Sequence, residues 1–274
     1  MELTSIDTIC LALIILIGLP HGAIDGPLLN KVNSIQINQN LQLLLYVFAG
    51  IGFWIFWAYF PNIGLSIFLI ISLVHFGLSD LRSNFPDFNL NNFEKLIISF
   101  SHGGLVTIIT PIFHPEKTFF IFSILGGSEY FFYSFFLAAF LLWCISLLLF
   151  SLVAFQCSLK RFPLYEIILL TISCFLLDPI IFFTFYFCGI HTIRHLNSIK
   201  AICLSSNEFH DIIYKTIPFF IATMIIVASL VLYYSFYKDF EFNDSLTRTV
   251  FILLASLTVP HMIFIDNIFH RRQS

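Results

Sequence analysis

Charge is what this chain lacks. Only 11% of its 274 residues are Asp, Glu, Lys or Arg, and 58% are hydrophobic, whereas soluble domains carry roughly 25% charged residues. No water-soluble fold covers that much apolar surface. The 13 basic residues are scattered and the net charge is −3, so no basic surface for nucleic acid is expected. No CxxC pair occurs among Cys10, Cys144, Cys157, Cys174, Cys188 and Cys203, which excludes the common thiolate zinc and redox motifs and leaves them as small apolar packing residues. The start, MELTSID, is acidic, and the apolar run after it leads into HGAIDG rather than a small-residue cleavage site, so the first segment is expected to be retained as a helix. No internal repeat, low-complexity linker or long charged tail appears, and residues 1–274 read as one integral membrane domain.

What is present is apolar length. Runs near spanning length fall at about 5–24, 41–60, 62–79, 93–114, 131–156, 164–177, 179–199, 213–237 and 246–269. The expected fold is all-α, a polytopic transmembrane bundle of about eight or nine spans; the sixth and seventh runs meet at Asp178 and Pro179. With nine spans and the N-terminus outside, the cytoplasmic segments hold Lys31, Arg82, Lys95, Lys160, Arg161, Lys200, Arg271 and Arg272, against Lys117, Lys238 and Arg248 outside. Retention of Lys and Arg on the cytoplasmic side favours this orientation. The 36 phenylalanines suit lipid contact, helix packing or an apolar tunnel equally.

Ionisable groups inside spans are rare and usually functional. Of nine histidines, His21, His75, His191 and His195 lie near the cytoplasmic ends of spans 1, 3 and 7. His102 and His261 lie about 13 Å and 12 Å deep from the same side at 1.5 Å per residue. Six histidines therefore share one leaflet. His191 and His195, in GIHTIRHL, stand at i and i+4, one helical face within reach of one ion. With His21 and His75 they offer four imidazoles, a donor set suited to Fe, Cu, Zn or Ni. Asp25 and Asp80 follow His21 and His75 by four and five residues; each is placed to orient a ring or to hold the cytoplasmic edge of the site. Arg194 either snorkels to the interface or pairs with Asp80 or Asp266. His102 taken alone reads as an interhelical hydrogen-bonding group. His114, His210 and His270, at membrane edges or in loops, receive no role.

The blocks PHGAID (Pro20 to Asp25), HFGLSD (His75 to Asp80), SHGG (Ser101 to Gly104), HTIRHL (His191 to Leu196) and VPHM (Val259 to Met262) together resemble the Brp/Blh family, integral membrane enzymes that cleave β-carotene centrally to two molecules of retinal. The resemblance extends over almost the whole chain. It implies a non-haem Fe(II) dioxygenase that uses O₂ at the 15,15′ double bond, with His21, His75, His191 and His195 as iron ligands. Asp25, Asp80, His102, Arg194 and His261 then fall to the surroundings of the metal or the substrate pocket. It further implies a cell (inner) membrane location, the metal toward the cytoplasm, and hand-over of retinal to a microbial rhodopsin. The rivals are a histidine-ligated membrane desaturase or hydroxylase, disfavoured because only one HxxxH pair exists, and a bis-histidine haem protein. A proton or metal transporter is disfavoured because spans 1, 3 and 7 are almost purely apolar in the outer leaflet.

Overall fold

The computed structural model describes residues 2–29, 38–85, 90–156, 161–203 and 205–264. Lys31, Lys160, Arg271 and Arg272, part of the charge asymmetry used for orientation, lie outside these residues, as do Cys157, Asp266, His270 and the Arg161 side chain. Every regular element among the described residues is helical: α1 (Ser5–Leu29), α2 (Gln39–Tyr59), α3 (Pro61–Asn84), α4 (Asn92–Phe113), α5 (Pro115–Ile124), α6 (Glu129–Gln156), α7 (Arg161–Leu176), α8 (179–202), α9 (Ser206–Tyr237) and α10 (Phe242–Phe264). The chain is an all-α polytopic membrane bundle. Among the described residues all nine expected runs are helical, and seven of these helices, α1, α2, α3, α4, α6, α9 and α10, are by length and composition alone long and apolar enough to cross a membrane. The other two, α7 and α8, fall outside that criterion for different reasons. α7 has 16 residues, about 24 Å of helix against a hydrocarbon core of about 30 Å. α8 is long enough, but its second half carries His191, Arg194, His195, Asn197 and Lys200.

Helix starts follow local chemistry. Proline opens α3, α5 and α8 at Pro61, Pro115 and Pro179, where its missing N–H costs no intrahelical bond. Capping boxes at Thr4 with Asp7 and at Asn91 with Glu94 satisfy the first amides of α1 and α4. Asp7 has a second use: it is fully buried and accepts from Lys117 Nζ at 2.9 and 3.0 Å, while the same ammonium reaches Asp178 at 3.0 Å. α1, α5 and the start of α8 are thereby tied at one end. The residues that reappear below, from His21 onward, lie about 21 Å further along α1 at 1.5 Å per residue.

The other end depends on close helix contact. A Cβ on Gly77 would strike the Ser99 carbonyl, and one on Gly103 the Leu73 carbonyl, so α3 and α4 touch backbone to backbone where only glycine fits. Among the described residues three helices also contain π turns, at Ile14–Gly18 in α1, Leu105–Ile109 in α4 and Phe185–His191 in α8. Each lies within five residues of an intramembrane histidine, and π turns concentrate at functional sites because they re-aim the side chains that follow. Two are buttressed alike: the hydroxyls of Thr110 and Thr192 donate to the carbonyls five residues back, Leu105 at 3.1 Å and Phe187 at 2.9 Å.

Candidate metal centre

α1, α3, α8 and α10 run in the same direction through the bundle, and each delivers histidine from its C-terminal half. His21, His75, His191, His195 and His261 converge there, none more than 8% exposed. Ring centroids lie 4.0 Å apart for His21 and His195, 5.0 Å for His21 and His191, 4.8 Å for His75 and His191, and 4.9 Å for His75 and His261. The Nε2 atoms of His75 and His191 face each other at 3.1 Å. Two trios, His21 with His75 and His191 and His21 with His195 and His261, hold their ligand atoms within 4.8 Å of one another. Phe76 and Phe187 close the cluster at 4.9 and 5.7 Å from the His191 ring.

The donor set fits a metal ion. Buried polar nitrogens are normally hydrogen-bonded, since burial without a partner costs free energy. Yet Nδ1 of His21 and Nδ1 of His191 are buried with no hydrogen-bond partner among the described residues. Packed imidazoles cannot satisfy one another fully, because two lone pairs that meet repel; a cation drawn to those lone pairs removes the conflict. The donors are neutral nitrogens of borderline softness, which suits iron, copper, zinc or nickel.

The carboxylates flanking the cluster have separate tasks. Asp25, buried, accepts from the Tyr46 hydroxyl at 2.6 Å and stands 2.8 Å from His261 Nδ1; it contacts His261, not the His21 four residues before it. Asp80 holds the edge. It accepts from the Tyr186 hydroxyl at 2.7 Å and from Arg194 at 2.7 Å. Arg194 also donates to both oxygens of Glu166, at 2.8 and 2.7 Å, and to Asn84 at 3.2 Å. Of the two readings of Arg194, ion pairing is the one adopted, with Asp80 and a partner on α7 that no sequence spacing indicates. Because Arg194 lies between His191 and His195, this network sets the rotation of α8 about its axis.

His102 does not join the cluster. It sits between α4 and α6, 5.8 Å from the Phe150 ring, with Nδ1 2.9 Å from the Ile98 carbonyl and Nε2 without a partner among the described residues. His114, given no role from sequence, ties the end of α4 to the Cys174 carbonyl of α7 at 2.8 Å. Glu166 and Tyr46 were missed because each sits in an apolar run with no histidine near it in sequence, and Tyr186, five residues before His191, because a lone tyrosine in an apolar run carries no signal of its partner Asp80.

His21 lines two apolar spaces. The first, with His75, His261, Phe76, Phe183 and Phe187, shares Phe68, Ser72, Phe76 and Phe183 with a further cavity. That cavity continues along α3 to Leu65, about 15 Å from His75 at 1.5 Å per residue. The second lies between α1, α8 and α9, bordered by Leu16, Ile17, Ile213 and Ile217, all exposed on the lipid-facing surface.

Fold and site together define a class: a polytopic helical membrane protein with a buried, all-imidazole cluster bordered by apolar cavities. The family described as beta-carotene 15,15'-dioxygenase matches residues 12–269, and the chain belongs to that family. A relative named beta-carotene 15,15'-dioxygenase, from uncultured marine bacterium 66A03, is 31% identical over 278 aligned positions that cover 100% of this chain and 98% of the relative. No solved structure matches the chain.

Proposed function

We propose that this protein cleaves β-carotene at its central 15,15′ double bond, using O₂ and Fe(II) to give two molecules of all-trans-retinal. The observation that carries the reading is the position of His21, which lines two separate apolar spaces. Central cleavage of a long hydrocarbon needs room for both halves, and an all-imidazole cluster that borders two apolar spaces supplies it. Family membership supports the substrate.

In this reading His21, His75, His191 and His195 would hold the iron, which when bound supplies the activation of O₂ that a protein side chain cannot. The chain's own residues supply alignment. Phe68, Phe76, Phe183 and Phe187 line one arm and keep one half of the polyene straight and dry. The lipid-bordered arm between α1 and α9 admits the substrate from the bilayer, where it is dissolved. Asp80, Arg194 and Glu166 fix α8 so that His191 and His195 stay on one face. The centre lies toward the cytoplasmic side of the cell membrane with the N-terminus outside, and the retinal released there is available to a microbial rhodopsin.

Expression in a bacterium engineered to make β-carotene tests the reading directly. Pigment loss with extractable retinal is expected; unchanged carotene beside folded, iron-loaded protein overturns the enzyme assignment. His21→Ala and His195→Ala should each abolish retinal formation and lower bound iron, and full activity in either removes that residue from the ligand set.

A further inference from the structure

His261 lies closer to the cluster than a pocket-lining residue needs to be. Its ring is 4.9 Å from His75 and 5.5 Å from both His21 and His195, all shorter than the 6.4 Å between His21 and His75. Its ligand atom groups with those of His21 and His195 within 4.8 Å. Pro260, inside α10 and immediately before it, lacks an N–H and interrupts the helical ladder at that point, which loosens the backbone that aims the ring.

The surroundings of the ring discriminate between two roles. Asp25, 1% exposed, faces His261 Nδ1 at 2.8 Å, and the same oxygen accepts from the Tyr46 hydroxyl at 2.6 Å. A carboxylate at Nδ1 places the ring proton there and leaves the Nε2 lone pair on the opposite edge, the arrangement in which a histidine binds metal through Nε2. A residue that merely lined a space for a hydrocarbon would gain nothing from it. Burying a carboxylate is costly unless compensated by charge or hydrogen bonds, and a cation across the imidazole is such compensation.

We propose that His261, clamped by Asp25 and Tyr46, supplies a fifth nitrogen to the metal centre formed by His21, His75, His191 and His195. The inference rests on the iron-centre reading above and adds a ligand from α10, so that the last helix closes the site.

The test uses the full-length protein purified without metal, titrated anaerobically with Fe(II) against a chromophoric chelator, with the number of imidazoles counted by X-ray absorption. The wild type should bind one equivalent with five imidazoles, and His261→Ala should bind more weakly with four. Asp25→Asn keeps the side-chain shape and should weaken iron binding about 10- to 100-fold, the usual effect of removing a carboxylate behind a ligating histidine; Tyr46→Phe should weaken it less. Asp25→Asn carries the test by itself if His261→Ala does not fold. Wild-type affinity and an unchanged spectrum in His261→Ala, or in Asp25→Asn where only that variant folds, overturn the fifth ligand and leave the four-histidine centre standing. A wild type that takes up no iron overturns both.

Discussion

Arg194→Leu should destabilise the protein more than the loss of any exposed charge, and adding Asp80→Asn should recover part of that loss. Arg194 is 17% exposed and meets Asp80, fully buried, at 2.7 Å and Glu166, 14% exposed, at 2.7 Å. Without the guanidinium, Asp80 keeps only the Tyr186 hydroxyl at 2.7 Å among the bonds described above. Removing one partner of a buried ion pair costs about 3 to 5 kcal/mol, because the remaining charge is left without compensation. Glu166 contributes less to that penalty because it is less completely buried than Asp80. The second change, Asp80→Asn, removes the orphaned charge while its side-chain oxygen still accepts from Tyr186. Residues in one network couple by about 0.5 to 3 kcal/mol, and the double variant should be more stable than Arg194→Leu alone by that coupling less the cost of Asp80→Asn in the wild type. Unfolding of both single variants, the double variant and the wild type in mixed micelles, followed by tryptophan fluorescence, completes the cycle. A double variant less stable than Arg194→Leu would refute the claim that buried charge, rather than lost packing, dominates.

Further outcomes follow from other parts of the fold. Ser72 is buried and borders both cavities of the inner arm; Ser72→Phe should block that arm and suppress retinal formation while iron content, measured by mass spectrometry, stays at the wild-type level. Loss of iron together with activity would place Ser72 in the metal centre instead. Burial lowers the pKa of the Lys117 ammonium, but its hydrogen bonds to Asp7 and Asp178 and their charges outweigh this and hold it above the ordinary 10.5. A pKa raised by folding contributes stability that is complete below the unfolded value and lost as pH rises through the folded one. The gap in thermal midpoint between wild type and Lys117→Met should therefore stay constant up to about pH 10 and shrink only above it; a gap already shrinking from neutral pH would contradict the ion trio.

How much of this was legible in sequence depends on the range of each interaction. The spans α1 to α4 are readable because apolar length is a local property, and HxxxH is readable because 3.6 residues per turn puts i and i+4 on one face. The shortness of α7 and the polar half of α8 were not legible as such, since an apolar run reports composition and not whether neighbours shield its polar half. Depth along helices of common direction brought His21, His75, His191 and His195 to one level. It could not separate His261 from His102, which sit at similar depths on helices facing different neighbours.

The sequence by itself determined that this is a polytopic helical membrane protein with histidines gathered at one level, because hydrophobic length and rise per residue set depth. Tertiary structure decided which rings meet. It turned Asp25 toward His261 instead of its sequence neighbour His21, gave Arg194 a partner in Glu166 on α7, and left His102 against Phe150. The physical reason is rotation: the π turns of α1, α4 and α8 and the glycine contact of α3 with α4 set the angles of those helices about their axes, and neither a hydrophobic run nor a motif spacing encodes that angle.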